Sequence, residues 1–384
     1  MTIILYITLV LLLGYGILIG YYRSAWVRIP YWDDALWKER NPSTNITVVV
    51  PARNEEKNIE ACIESVLRQS YPGDLLEIIV VNDHSTDATA ERVQHFNNPR
   101  VRLLNLEDHI ACSTLQAPKK KAIELAVGQS RGELIVTTDA DCRAPASWIA
   151  ALESCYVQNH AAFIAAPVRI VERGGLLSVF QSLDFITLQG ITGAAVYKKI
   201  FAMCNGANLA YQKTAFREVD GFRGIDAIAS GDDMLLMYKI SKKFPGKTFF
   251  AKTRAAIVNT EPAADWKQFM QQRIRWSSKT DKYQDKNIFW TLLFVYVLNC
   301  LLLLILLGSF WNSMWFLYFV LLVLLKTLFE FSFVKCVADF FEQGRLMKYF
   351  LFLQPLHILY IVTAGFLGKF AGYRWKDRPS GSQS

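Results

Sequence analysis

Apolar positions crowd toward the two ends of the chain and fall into short, alternating periods between them. Met1 to Tyr22 carries no charged side chain, and about 20 apolar residues suffice for a helix to cross a bilayer. No basic stretch precedes this run and no small-residue cleavage site follows it, while Tyr21, Tyr22 and Arg23 form an interfacial belt. That pattern predicts an uncleaved anchor rather than a removable signal peptide. Ile288 to Leu325 again lacks Asp, Glu, Lys and Arg. The run is too long for one span, and Gly308-Ser309 with Asn312-Ser313 offers a turn, so it predicts two helices. The second should continue to about Val334, with Lys326 and Glu330 facing protein or the interface rather than lipid. A last apolar stretch, Tyr349 to Phe370, is interrupted by Pro355, His357 and Gly365, and is expected to be re-entrant or interfacial, broken near Pro355 or Gly365, with a further full span as the alternative.

The middle of the chain reads differently. Ile46 to Val50 is a β-branched strand followed by Pro51, and Ile59, Cys62, Ile63, Val66 and Leu67 then recur with the spacing of an amphipathic helix. Leu76 to Val81, Val101 to Leu106 and Leu134 to Thr138 are further strands, with a helix over Lys120 to Gly128. Strand–helix alternation predicts an α/β domain with a mostly parallel sheet, in which ligands bind at the carboxyl ends of the strands. The expected organisation is an anchor at 1–23, a linker at 24–43, the α/β domain at 44–286, a membrane region at 287–370 and a basic tail at 371–384.

Composition supports this division. Hydrophobic residues make up 52% and charged residues 20% of the chain, too few charges for an ordinary soluble globule. The net charge of +8, beside such apolar ends, suits an anionic lipid surface, and no nucleic-acid partner is expected. Seven cysteines at 62, 112, 142, 155, 204, 300 and 336 show no CxxC spacing, which predicts reduced thiols without a zinc site or disulfide framework.

Two strands run directly into acids. Ile78 to Val81 leads to Asn82-Asp83, and Leu134 to Thr138 leads to Asp139-Ala140-Asp141. A carboxylate at the exit of an apolar strand is costly unless it finds a partner or a ligand. Asp139 and Asp141, two residues apart, can serve one hard cation such as Mg²⁺ or Mn²⁺, or form an Asx-turn before Pro145.

The wider set of motifs is Pro51-Ala52-Arg53-Asn54-Glu55-Glu56, Asp83, Asp139-Ala140-Asp141, Gly206-Ala207-Asn208, Gly231-Asp232-Asp233 and Gln271-Gln272-Arg273-Ile274-Arg275-Trp276. In this order and approximate spacing, over residues 44 to 280, they resemble the family-two inverting nucleotide-sugar glycosyltransferases of the GT-A fold. The apolar ends are similar to the membrane-bound branch, which includes ceramide glucosyltransferase and the cellulose, chitin and hyaluronan synthases. The resemblance implies a Rossmann-like GT-A domain between an N-terminal anchor helix and C-terminal transmembrane helices.

It also implies roles. Pro51, Ala52 and Glu55 would line the nucleotide, with Asp83 on the base; a helix-start acid is the alternative for Glu55. Lys119, at the start of Lys119 to Lys121, would fall near the diphosphate, with a solvated basic patch as the alternative; Pro118 and Glu124 stand where the family usually has Gly and Asn. Asp139 would contact the donor and, with Asp141, the metal, Mn²⁺ or Mg²⁺. Asp233 would be the base that deprotonates the acceptor hydroxyl, with Asp232 as runner-up and helix capping as the rival explanation. Gln272 and Arg275, three apart on one helix face, would meet the diphosphate, and Trp276 the acceptor. Gly206, Asn208 and Tyr211 would line the acceptor side. His84 is expected to be a turn residue.

The implied reaction moves a sugar from a nucleoside-diphosphate sugar, UDP-sugars being favoured, to a lipid-linked or saccharide acceptor. Processive polymer synthesis is the alternative, and a catalytically silent binding protein is the reading from another class. Because nucleotide sugars are cytosolic, the resemblance implies an α/β domain on the cytosolic face of a cell or inner membrane, and Arg23 and Arg28, with Lys335, Arg345 and Lys348, agree by the positive-inside rule.

Overall fold

The computed structural model describes residues 2–32, 42–109, 117–200, 203–226, 228, 231–278, 285–370, 373–375 and 378–380. Most of the expected tail, much of the linker and Cys112 lie outside these residues. The chain divides into two units. One, the sheet unit, comprises Ile29–Val171 and Ala202–Glu261; the other, the helical unit, comprises Met1–Arg28, Glu172–Phe201 and Pro262–Ser384. The α/β domain therefore does not run unbroken over 44–286, because the helices Leu176–Lys198 and Trp266–Ser277 cluster with the long apolar helices.

In the sheet unit the strands are β1 (Ile46–Ala52), β2 (Leu76–Asn82), β3 (Val101–Asn105), β4 (Leu134–Thr137), β5 (Cys142–Arg143), β6 (Phe163–Ala165), β7 (Val168–Ile170), β8 (Leu209–Gln212), β9 (Thr248–Phe250) and β10 (Val258–Thr260). Seven of them form one sheet in the order β3-β2-β1-β4-β8-β6-β9, and β5, β10 and β7 form a second. The first four strands are mutually parallel, and β8 is antiparallel to both β4 and β6. Val48, Val49, Val50, Ile78, Ile79, Ile135 and Val136 are wholly buried, as expected of parallel strands covered on both faces. The helix Ile59–Leu67 buries Ile59, Cys62, Ile63 and Val66, the stripe its sequence predicts.

Register brings the motif residues to one edge. Ala52 pairs with Asn82, and Val49 pairs with Thr137, so Asp83 emerges just past the carboxyl end of β2 and Asp139 just past that of β4, on the same edge of the sheet. The order 3-2-1-4 reverses between β1 and β4, the switch point at which such sheets open a crevice for ligands.

Among the described residues the helical unit contains four helices long and apolar enough to cross a membrane: Ile3–Arg28, Lys286–Gly308, Met314–Phe340 and Gly344–Phe370. Small residues let them approach closely: the position of a Cβ on Gly16 would press on Phe329, and on Gly190 against Val337 and Phe333. The break expected near Pro355 or Gly365 is absent, since Phe350–Phe370 is one continuous helix. Pro355 sits in its second turn, where it forfeits one backbone bond near the start, and Gly365 packs under Tyr296 instead of ending the helix.

Lys326 and Glu330 face protein, as their charge requires. Lys326 Nζ donates to Glu330 Oε1 at 2.6 Å and to Gln354 Oε1 at 2.8 Å, and Gln354 Nε2 donates to Glu330 Oε2 at 2.6 Å. The Tyr15 hydroxyl also donates to Glu330 Oε1. Each charge is thus paired and hydrogen-bonded away from lipid.

Candidate active site

Two loops at the carboxyl ends of β1 and β2 are stitched together by reciprocal bonds. The Glu56 N–H donates to Asp87 Oδ2 at 3.1 Å, and the Ala88 N–H returns a bond to Glu56 Oε2 at 3.2 Å. Glu55 N–H donates to Thr89 Oγ1 at 2.8 Å. Burial works against the Asp87 carboxylate, but hydrogen bonds from Thr89 and from the Glu56 backbone hold its pKa below the usual range. Arg53 Nη1 closes the same corner by donating to the carbonyls of Asp83 and His84 at 2.9 and 3.0 Å.

Asp83 is buried, and His84 Nδ1 lies 3.0 Å from its Oδ1. His84 has a left-handed backbone with φ +53°, which agrees with its reading as a turn residue. Glu55 accepts from Asn58 Nδ2 at 2.9 Å, and its carbonyl accepts from the Asn58 and Ile59 N–H groups. Its side chain thus holds the loop just before the helix Ile59–Leu67, whose own first-turn acid is Glu60. Pro51 and Ala52 close β1 beside it.

The carboxylates of two separate segments meet around one ammonium. Lys119, in the first turn of the helix Pro118–Gln129, donates to Asp139 Oδ1 at 2.7 Å and lies 3.2 Å from Asp232 Oδ2. Burial alone would pull the Lys119 pKa down; the charges of Asp139 and Asp232 more than reverse this and hold it above the ordinary value.

Gly206 closes the group. A Cβ there would stand 3.2 Å from Lys119 Nζ and 3.3 Å from Asp232 Oδ2, so this position admits no side chain without moving the charged groups. Gly231, with φ +82°, makes the turn that delivers Asp232. Asp233 then caps the helix Met234–Lys243: its Oδ1 accepts from the Met234 N–H at 2.7 Å and its Oδ2 from the Gly206 N–H at 3.2 Å. Both roles weighed for Asp233 thus have a place, because capping leaves further lone pairs on each oxygen.

Asp139 and Asp141 stand on the loop between β4 and β5. Beneath it, the Cys142 thiol donates weakly to Asp141 Oδ1 at 3.5 Å and the Cys62 thiol to the Asp139 carbonyl at 3.6 Å. Burial first, then the charges of Asp141 and Asp139, push both thiols well above their ordinary pKa. The two carboxylates are hard oxygen donors on one short loop, which fits a divalent cation. Among the described residues no group of three or more His, Cys, Asp and Glu side chains could hold a metal by itself, so ligand oxygens would have to complete the coordination. Among the same residues Cys62, Cys142, Cys155, Cys300 and Cys336 are thiols outside any disulfide.

Asn208 is held by the scaffold. Its side chain is fully buried, donates to the carbonyls of Pro167 and Ala256 at 2.8 and 2.7 Å, and accepts from Trp148 Nε1 at 2.8 Å. The amide spends its capacity on the scaffold and fixes the Gly206 loop. Tyr211 is also buried, stacked between Phe163 and Phe216, but its hydroxyl feels the charge of Asp232.

Gln272, Arg275 and Trp276 lie half-buried on the helix Trp266–Ser277 of the helical unit. There the Arg273 guanidinium carbon stands 4.1 Å over the Trp276 ring and 4.8 Å over Phe269, with Phe185 6.3 Å from Trp276. Sequence reasoning overlooked Arg273 and its partner Asp184. The available signal was a lone acid inside the otherwise apolar helix Leu176–Lys198.

Residues 47–220 match the model of glycosyl transferase family 2, and residues 134–334, more than half of the chain, match that of glycosyl transferase family group 2. The chain belongs to the family-two glycosyltransferases. A probable glycosyltransferase of Bacillus subtilis, YdaM, is 26% identical over 250 residues, 63% of this chain and 56% of its own. A dolichyl-phosphate beta-glucosyltransferase of Trichomonas vaginalis, ALG5C, is 39% identical over 103 residues, covering 25% of this chain and 28% of its own. The matches thus span about half or less of these relatives. The solved structure of a mannosyltransferase from Pyrobaculum calidifontis in complex with GDP-Man and Mn²⁺ superposes with a TM-score of 0.60 at 18% identity, over 93% of this chain and 99% of that one. The family-two chain described here therefore has the GT-A fold, with long apolar helices at both ends.

Proposed function

We propose that this protein is a membrane-bound inverting glycosyltransferase that moves a sugar from a nucleoside-diphosphate sugar to a hydroxyl of a lipid-linked or glycan acceptor. The observation that carries this reading is the meeting of Lys119, Asp139 and Asp232 with Gly206 and Asp233 beyond the carboxyl edge of a GT-A sheet. Family membership and the fold shared with a GDP-Man-bound mannosyltransferase support it, as do the four apolar helices.

In this mechanism Asp83 and the β1 loop from Pro51 to Glu55 hold the nucleotide. Lys119 pairs with the diphosphate, whose departure leaves negative charge. Asp139 and Asp141 would hold Mn²⁺ or Mg²⁺, which supplies Lewis-acid neutralisation of that charge. Asp233 takes the proton of the acceptor hydroxyl as its oxygen attacks the anomeric carbon from the face opposite the leaving group, with Asp232 next in line. The basic residues flanking the apolar helices favour a cytosolic sheet unit, where nucleotide sugars are supplied.

The test is nucleoside-diphosphate release by the full chain in native-lipid membranes, across UDP- and GDP-sugars with Mn²⁺ or Mg²⁺. Release with one donor, abolished by EDTA and restored by the metal, is expected. No release from any donor when extracted membrane lipid is supplied as acceptor would overturn the proposal. The mass of the product separates single transfer from polymer synthesis.

A further inference from the structure

The sheet unit carries a cation of its own where a metal-binding carboxylate would work. Lys119 Nζ sits 2.7 Å from Asp139 Oδ1 and 3.2 Å from Asp232 Oδ2, and a Cβ on Gly206 would stand 3.2 Å from it. One ammonium therefore ties the loop after β4 to the turn before the helix Met234–Lys243. An ammonium and a divalent ion drawn to the same oxygen repel each other, and they do so strongly where water is scarce.

We propose that Lys119 is a built-in competitor of the divalent cation at Asp139, so that metal binds poorly alone and enters together with a nucleoside diphosphate, whose oxygens Lys119 takes in exchange. This rests on the reading that a nucleoside diphosphate binds here.

Three further observations support the exchange. The described acids do not form a group able to hold a metal unaided, so the ion gains affinity only when diphosphate oxygens arrive. Lys119 belongs to the first turn of its helix, and its flexible stem with three donors can swing between carboxylate and phosphate without moving the backbone. The Tyr211 hydroxyl is buried, has no hydrogen-bond partner among the described residues, and feels Asp232 as the leading charge. It is a donor ready for Asp232 once the ammonium leaves.

The test reads Mn²⁺ binding directly. The full chain in neutral detergent is titrated with Mn²⁺ alone and with Mn²⁺ plus UDP or GDP, and free Mn²⁺ is followed by electron paramagnetic resonance. Lys119→Met is expected to bind Mn²⁺ alone about tenfold more tightly than the wild type, the scale set by removing one like charge from a shared oxygen. It should also lose much of the tightening that the nucleotide confers. Lys119→Arg, which keeps the charge, should bind Mn²⁺ alone as the wild type does. Unchanged or weaker Mn²⁺ binding by Lys119→Met would overturn the proposal. Lys119→Gln repeats the comparison should the methionine variant not fold. Failure of UDP and GDP to bind would overturn both the exchange and the functional reading, whereas a nucleotide that binds without a Lys119 effect on Mn²⁺ alone would overturn the competition only.

Discussion

Arg273 Nη2 lies 2.6 Å from Asp184 Oδ2, with only 2% and 5% of the two side chains exposed. This pair joins the helix that carries Gln272, Arg275 and Trp276 to the helix Leu176–Lys198. A buried ion pair adds little over a well-packed apolar pair, but losing one partner strands the other charge. Asp184→Leu or Arg273→Met alone should therefore cost about 3–5 kcal/mol. The double variant should recover most of that loss. Denaturant unfolding of the detergent-solubilised protein decides it, and additive losses would contradict the pairing.

Asp232 and Asp233 can be told apart by substitution. Asp233→Asn keeps an oxygen for the Met234 N–H, so its helix should survive while donor turnover falls about 10²–10⁴-fold if Asp233 is the base. Asp232→Asn should instead loosen Lys119 and act more on the donor KM. Turnover measured beside unfolding separates the two, and the reverse pattern would move the base to Asp232.

Asn208→Leu should fail as a scaffold before it fails as an enzyme. The change strands the Trp148 Nε1 donor and the Pro167 and Ala256 carbonyls, a loss on the order of 2–4 kcal/mol. Asn208→Asp restores only the acceptor and should fall between. Unfolding midpoints of the two variants check the order.

The buried thiols should be silent at neutral pH. Burial pushes Cys155 from 9.0 up to about 12, and Cys62 and Cys142 are raised in the same direction. The protonated form is favoured in the fold, so this contribution to stability is complete below the ordinary value and is lost as pH rises from there toward the folded value. At pH 8 roughly one Cys155 thiol in ten thousand is ionised in the folded state. These three cysteines should resist iodoacetamide at pH 8 and react on unfolding; mass spectrometry of the alkylated peptides distinguishes the outcomes.

Much of this was legible in the residues. Strand-end acids such as Asp83 and Asp139 announce themselves because an apolar strand fixes where its carboxyl end lies, and parallel register then brings the ends together. Gly231 and the paired acids after it were readable for a similar reason, a turn feeding a helix start. The bonding of Asn208 was not readable because motif order says nothing about which way a side chain points; only the packed neighbours Trp148, Pro167 and Ala256 decide it. Pro355 misled because its cost depends on its place in the helix, and the helix start was not visible in a continuous apolar run. Asp184 and Arg273 meet across 89 residues of chain, a distance that local pattern cannot bridge.

The hydrogen bond from Tyr15 to Glu330 makes the first helix more than a tether. A generic apolar segment of equal length would hold the chain at the membrane just as well, yet it would leave Glu330 one donor short in the interior of the helical unit. Residues 2–28 are therefore a structural subunit of the bundle, and an exchange of anchors among relatives should succeed only where a hydroxyl is supplied at position 15.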